Sequence, residues 1–338
     1  MHQPLARSAL PERLEAPLLT VRGLSVEFVT RRGRARALDR VSFDMAPGEI
    51  LGLVGESGAG KSLSGNAIIG LIDPPGQVVE GEITFDGKRI DALPANQMRK
   101  LRGRMIAAIF QDPLTSLDPL MRIGDQLTET ILTHLPMSRA AARARALDLL
   151  KAVGIPAPDV RIDHYPHQFS GGMRQRVVIA LALCADPKLI IADEPTTALD
   201  VSIQAQITAL LKKMCREHGT AILLVTHDMG VIADTADRVA VMYAGRLVEI
   251  GPIQDVLGSP RHVYTAGLIG SIPSLNRRRE RLVQIDGSMP RPGAVPPGCA
   301  FAPRCPKRIA KCDERPELRS FGESQVACWR AEESHTYA

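Results

Sequence analysis

The segment Gly55-Glu-Ser-Gly-Ala-Gly60-Lys61-Ser62 limits the possible folds more than any other stretch of the chain. It is a complete G-x4-G-K-S, preceded by the apolar run Glu49 to Gly55 and followed by a helical pattern from Lys61 through Leu71. A short apolar run ending in glycine marks a strand buried on both faces of a parallel sheet. Glycines let backbone N–H groups curl around phosphate oxygens, and the start of the next helix adds partial positive charge. Gly55, Ser57, Gly58, Ala59, Gly60 and Leu63 are therefore expected to line a phosphate site. Lys61 is expected to reach the β- and γ-phosphates of a nucleotide, and Ser62 to ligate Mg²⁺.

A second motif supplies what the first lacks. Leu189 to Ala192 is apolar and runs into Asp193 and Glu194. Such a strand delivers Asp193 to the Mg²⁺ shell, and Glu194 can orient or deprotonate an attacking water. Many buried strands end in an acid, so this motif carries weight through its pairing with the phosphate loop. Together the two define an α/β fold of the P-loop NTPase class.

The rest of the chain is organised around that core. Leu18 to Phe28 alternates apolar and polar residues and reads as an edge hairpin, with Ala37 to Phe43 beginning the return strand. Gly81 to Phe85, Ile106 to Phe110, Leu189 to Ala192 and Ala221 to Thr226 read as further strands, and Arg238 to Ile250 as an antiparallel piece that closes a mixed sheet. Between about residues 113 and 185 the pattern turns helical, clearest over Ala140 to Val153, and predicts an inserted helical subdomain. The helix Val201 to Glu217 separates two of the strands. The expected division is a flexible tail over 1–17, an ATPase domain over 18–265 and a small Cys-containing extension over 266–338.

Composition narrows the setting. The 338 residues are 45% hydrophobic and 23% charged, as in globular proteins, with only 4% aromatic, so the core must rest on aliphatic side chains. The net charge of +5 is too small to identify a nucleic-acid binder. The Arg31, Arg32, Arg34, Arg36 cluster and the Arg277, Arg278, Arg279, Arg281 cluster read first as solvated loops. No stretch reaches the ~20 apolar residues of a membrane span, and Met1 to Pro17 lacks the apolar run of a secretory signal. A cytosolic chain is expected, with any membrane role exercised through partners. Cys184 and Cys215 sit in apolar helical patterns and read as buried thiols. Cys299, Cys305, Cys312 and Cys328 fall close together, and in a reducing compartment that favours metal binding over disulfides.

Four further features resemble the ABC ATPase family in identity and order. Ser170-Gly171-Gly172-Met173-Arg174-Gln175-Arg176 resembles its signature, Gln111 after Phe110 its Q-loop glutamine, Thr197-Ala-Leu-Asp200 its D-loop, and His227 after Thr226 its switch histidine. The resemblance implies an ABC-type ATPase in which Ser170, Gly171 and Gly172 complete the nucleotide site of an opposite subunit. Asp200 would work across that dimer interface, His227 would hold the γ-phosphate, and Gln111 would contact Mg²⁺ and the attacking water. Lys61, Gln111, Glu194 and His227 form the implied catalytic set, with ATP and Mg²⁺ as ligands. Phe28 precedes the Arg-rich turn and is either an adenine-stacking residue or part of the hairpin core. Phe169 and Met173 depart from the signature's usual leucine and glutamine, and Met173 cannot make a glutamine's hydrogen bonds.

The flanks of these motifs resemble the dipeptide and oligopeptide permease branch, as do His262-Val-Tyr-Thr265 and the Cys-containing tail. That branch implies a second, non-identical ATPase subunit, two membrane permease subunits, an extracytoplasmic substrate-binding protein, and a peripheral position on the cytoplasmic face of the inner membrane. It implies no nucleic-acid partner. It also implies a [4Fe–4S] cluster on Cys299, Cys305, Cys312 and Cys328, with zinc as the alternative. The C-x5-C-x6-C-x15-C spacing lacks the C-x2-C knuckles of zinc ribbons. A loop-rich module with Pro303, Pro306 and Pro316 is expected to need such a staple. A soluble ABC ATPase acting on DNA or ribosomes would carry a coiled-coil insertion or a second ATPase domain, and neither is visible.

Overall fold

The computed structural model describes residues 16–31, 33–196, 200–271 and 284–333. Most of the expected N-terminal tail, the D-loop residues Thr197 to Leu199 and the second arginine cluster lie outside them.

Two sheets share the core. Strands β1 (Leu19–Thr30), β2 (Gly33–Met45), β4 (Gly76–Phe85) and β5 (Lys88–Arg89) form an antiparallel sheet in the order β2-β1-β4-β5. The expected edge hairpin is thus corrected: β1 pairs with β2 on one side and β4 on the other, so both rows of its backbone groups are bonded. The second sheet is mixed. It takes in β3 (Ile50–Val54), β6 (Ile106–Ile109), β7 (Leu189–Asp193), β8 (Ala221–Thr226), β9 (Arg238–Tyr243), β10 (Arg246–Pro252), β11 (Arg319–Phe321) and β12 (Ser324–Val326). Their order is β11-β12-β10-β9-β3-β8-β7-β6. Every residue of β3 is buried, because parallel neighbours β8 and β9 flank it and both of its faces are covered. That burial explains why its sequence runs apolar without alternation.

Leu51, Leu53, Ile191, Leu223 and Val225 face the antiparallel sheet across one core, which also contains Val21, Leu38 and Phe43. Ile50, Val54, Ile190, Ile222 and Leu224 face the helices across the other. Each fully buried aliphatic side chain contributes about 1.5–3 kcal/mol relative to exposure.

The helices are set by their caps. Helix α1 (Lys61–Ile68) follows β3, and α2 (Ala95–Leu101) precedes β6. Between β6 and β7 run α3 (Ile123–His134), α4 (Arg139–Ala152), α5 (Pro158–Arg161) and α6 (Gly171–Leu183), as the helical texture there predicts. The Ser138 side chain accepts the Ala141 N–H and Ser170 accepts the Met173 N–H, satisfying first-turn donors that α4 and α6 leave open. Helix α7 (Val201–His218) is capped by Asp200, which accepts the Ile203 N–H, and stops at Gly219 with φ +65°. The remaining helices are α8 (Met229–Thr235), α9 (Ile253–Gly258) and α10 (Val263–Gly270).

The C-terminal module continues the main sheet. Strand β12 pairs with β10 at Glu249–Val326 and Ile250–Gln325, and the Ala327 N–H donates to the Val248 carbonyl at 2.8 Å. The expectation that Arg238 to Ile250 closes the sheet is therefore corrected, since β12 and β11 extend it further.

Candidate nucleotide site

Strand β3 ends in the phosphate loop, and two glycines there have no substitute. Gly55 has φ +155°, and a Cβ on it would run into the Met242 carbonyl. Gly60, at φ +103°, caps α1, and a Cβ there would meet Leu38 Cδ2 at 2.6 Å. The loop opens onto a cleft of about 720 Å³ whose lining includes Ser57, Gly58, Lys61, Ser62 and Leu63. Gln111, Glu194 and His227 reach the same cleft from the far ends of β6, β7 and β8. Ala59 is fully buried beneath the loop.

The polar groups are already in contact. Lys61 Nζ donates to the Gly55 carbonyl at 2.8 Å and the Glu56 carbonyl at 3.1 Å. Burial lowers the Lys61 pKa, and the carboxylates of Glu194, Asp193 and Glu56 oppose that shift. Ser62 Oγ donates to Asp193 Oδ1 at 2.9 Å. Burial raises the Asp193 carboxyl, and the charge of Glu194 adds to the rise, against the Ser62 hydrogen bond and Lys61. A hydroxyl and a carboxylate side by side form a hard-oxygen donor pair, which fits Mg²⁺.

Glu194 is the hub. Gln111 Nε2 donates to its Oε2 at 3.2 Å, and His227 Nδ1 lies 3.0 Å from its Oε1. Its backbone adopts φ +47°. A non-glycine residue in that left-handed region stores roughly 1–3 kcal/mol, a strain found where function requires it. The Glu194 N–H, donating to the Val225 carbonyl at 2.8 Å, holds the turn in place.

The remaining expected residues lie elsewhere. Ser170 and Gly171 are exposed at the start of α6, and none of Ser170, Gly171, Gly172 and Asp200 lines this cleft. They share a surface, since a Cβ on Gly172 would meet Ile203 Cγ2 of α7 at 2.8 Å. Phe169 is buried in the helical core, edge-on to His164, and Arg161 Nη1 points at Met173 Sδ across 3.6 Å. Phe28 pairs with Ala35 and Gly76 and packs at the margin of the core between the sheets, without lining the cleft. The lining includes instead Ala37, Leu268 of α10, and Pro292 of the C-terminal module. Leu268 and Pro292 escaped the motif reading, and no local signal marks either.

The [4Fe–4S] cluster expected on Cys299, Cys305, Cys312 and Cys328 is overturned, and zinc with it. Among the described residues no group of three or more His, Cys, Asp or Glu side chains is arranged to hold a metal ion. The four thiols line a small cavity with Phe301 and Trp329. Burial pushes Cys299 up to about 11 and raises Cys305 and Cys328 as well. The argument for a metal staple also fails, because the module is not a separate small domain. Phe301 sits in the main core, its ring 5.3 Å from that of Tyr243 and 5.4 Å from that of Tyr264.

Cys184 is pushed by burial to about 12 and Cys215 to about 11. In the folded chain these two and Cys299 are expected to resist iodoacetamide at neutral pH and to react once guanidinium unfolds it, as counted by mass spectrometry. Labelling of all three at full rate in the folded state would contradict the burial. The same shifts fix a pH dependence. From the ordinary thiol value of 9.0 upward the unfolded chain loses these protons first, so stability is unaffected below pH 9.0 and falls as pH climbs towards 11 and 12.

Comparison with known proteins identifies the family. The ABC transporter family model matches residues 38–197, and the model for the oligopeptide/dipeptide transporter C-terminal region matches residues 248–312. The dipeptide transport ATP-binding protein DppD of Bacillus subtilis is 48% identical over 95% of this chain and 97% of its own length. The oligopeptide transport ATP-binding protein OppD of Salmonella typhimurium is 46% identical over 93% of each chain. Among solved structures, the dimeric ATP-binding cassette MJ0796 in a post-hydrolysis state, bound to ADP and Pi, aligns with a TM-score of 0.63. It is 30% identical and covers 70% of this chain and 98% of its own. The cbiO1 protein of Clostridium perfringens, part of the ABC transporter complex cbiONQ, gives the same TM-score and identity over 72% of this chain and 92% of its own. On sequence and fold alike, the chain belongs to the ABC transporter ATP-binding family, in its dipeptide and oligopeptide branch.

Proposed function

We propose that this chain is the ATP-hydrolysing subunit that powers import of di- and oligopeptides through an ABC transporter. The observation that carries the reading is the convergence of Gln111, Glu194 and His227 on one cleft with Lys61 and the Ser62–Asp193 pair. Lys61 holds the β- and γ-phosphates, which replace its two backbone carbonyl partners. Ser62 and Asp193, with Gln111, hold Mg²⁺, which when bound neutralises phosphate charge. Glu194 takes the proton of the attacking water, and His227 and Gln111 fix the carboxylate that does so. His227 also faces the γ-phosphate.

The subunit works in a heterodimer with a second, non-identical ATPase subunit. The exposure of Ser170 and Gly171 away from their own cleft supports completion of each site from across the interface. Asp200 works at that interface. The 18–265 segment is the ATPase domain and 266–338 the branch-specific extension. Two membrane permease subunits dock beside Gln111 and the helical insertion, where Phe110, Leu114 and Leu120 are 45%, 61% and 85% exposed. No helix among the described residues is long and apolar enough to cross a membrane, which suits a peripheral subunit on the cytoplasmic face. An extracytoplasmic binding protein supplies the cargo.

The test is ATP turnover by the assembled transporter in proteoliposomes. Binding protein loaded with a tripeptide is expected to stimulate turnover severalfold over empty binding protein, with peptide accumulating in the lumen. Equal stimulation by nickel or glutathione in place of peptide would overturn the cargo class.

A further inference from the structure

The first turn of the phosphate loop is gripped from outside the ATPase motifs. The peptide unit and side chain of Glu56 are held on three sides. The Glu56 N–H donates to Tyr264 Oη at 2.9 Å, and its carbonyl accepts from Lys61 Nζ at 3.1 Å. Its carboxylate takes Arg304 Nη1 on both oxygens, at 3.1 and 3.0 Å. Arg304 lies 248 residues away in the C-terminal module, and its side chain is 7% exposed. Its other donors are committed to that module, Nε to the Asp286 carbonyl at 2.8 Å and Nη2 to the Ile285 carbonyl at 3.1 Å.

Tyr264 is equally fixed. It is fully buried on α10, and the buried Glu249 carboxylate accepts the Arg261 and His262 N–H groups just ahead of that helix at 2.8 and 3.0 Å. A second tie runs to β2. Arg315 of the module and Arg246 of β10 both donate to Asp39 Oδ2, at 2.8 and 2.9 Å. Pro292, from the module, lines the same cleft as the loop.

We infer that the C-terminal module is a working part of the nucleotide site, with Arg304 as the positioning residue that neutralises Glu56 and, together with Tyr264, holds the phosphate loop ready for a triphosphate. The inference rests on the nucleotide reading of the cleft. A carboxylate at the second position of a phosphate loop is a liability, because a bound triphosphate would face a like charge at short range in a partly dry site. Arg304 removes that charge and, through its carbonyl contacts, fixes where Glu56 lies. A merely stapling ion pair would hold the module on without affecting nucleotide affinity.

The test uses the full chain and MgATP, with affinity measured by calorimetry and KM and kcat by phosphate release. R304M is expected to weaken MgATP binding about tenfold, mostly in KM, with kcat changed far less. R304K, which keeps the charge, recovers part of the loss. The deciding variant is E56Q/R304M, in which the unpaired carboxylate is gone, and it is expected to bind MgATP better than R304M. Folded R304M that binds MgATP as wild type does, or E56Q/R304M that binds no better than R304M, overturns the inference. Should R304M fail to fold, Y264F removes only the hydroxyl that takes the Glu56 N–H; it is expected to weaken MgATP severalfold, and unchanged affinity overturns the inference. If the wild-type chain itself binds no MgATP, the nucleotide reading falls as well. Normal wild-type binding beside an unaffected R304M sinks this inference alone.

Discussion

Glu194→Gln is expected to lower ATP turnover by roughly 10²–10⁴-fold, the range for losing a general base, while leaving MgATP binding intact. The substitution keeps the shape of the side chain and most of its contacts. Gln111 Nε2 can still donate to an amide oxygen where it now meets Glu194 Oε2. The other contact survives by a tautomer change, since neutral His227 can present Nδ1 as an acceptor to the amide N–H₂ in place of the 3.0 Å contact to Oε1. The backbone at φ +47° is unaffected, because its hydrogen bond to the Val225 carbonyl is main-chain. Only the ability to accept a proton is lost. Single-turnover phosphate release, set beside equilibrium MgATP binding, separates chemistry from affinity. Turnover within a few-fold of wild type would remove Glu194 from the role of base.

Lys61→Ala is expected to act on both binding and chemistry, with turnover falling about 10²–10³-fold, as for loss of one preorganised donor to developing charge. The ammonium sits where carbonyls and carboxylates converge, and it is 6% exposed. Removing it leaves the Gly55 and Glu56 carbonyls without their side-chain donor and the bound phosphates without their nearest point charge. Lys61→Arg is not expected to rescue. A planar guanidinium cannot occupy a slot shaped for a compact ammonium between two carbonyl oxygens. MgATP titration with steady-state turnover reads both effects, and normal turnover in Lys61→Ala would refute the assignment.

The residues in these two predictions were legible in the sequence because each motif is local. The phosphate loop needs glycine at Gly55 and Gly60 whatever the rest of the chain does, and the apolar strand before Asp193 and Glu194 reads the same in any context. Gln111 and His227 required the resemblance, since a lone Gln or His after a strand has many ordinary uses. Tyr264 was visible only as part of the His262 to Thr265 motif, without its contact to Glu56, and Arg304 and Pro292 carried no signal of a place at the site. Their partners are set by how the C-terminal module folds back across more than two hundred residues, and no short pattern records that. Phe28 had the right type and an attractive position, but β4 crosses beside it and Gly76 takes its ring. The four C-terminal cysteines misled for a related reason. Spacing shows that thiols are near one another along the chain, not that their side chains are arranged to hold a metal ion.

The pairing of β12 with β10 has a consequence for what counts as a self-sufficient piece of this chain. The boundary near residue 265 follows the motifs, but the sheet runs across it. A chain ending there would leave one side of β10 as a bare row of backbone donors and acceptors, the kind of surface that recruits strands from other molecules. It would also uncover the rings of Tyr243 and Tyr264, which Phe301 now covers. A chain ended near residue 265 is therefore expected to self-associate through β10, so that the smallest unit expected to stay monomeric by itself is longer than the smallest unit that contains every catalytic motif.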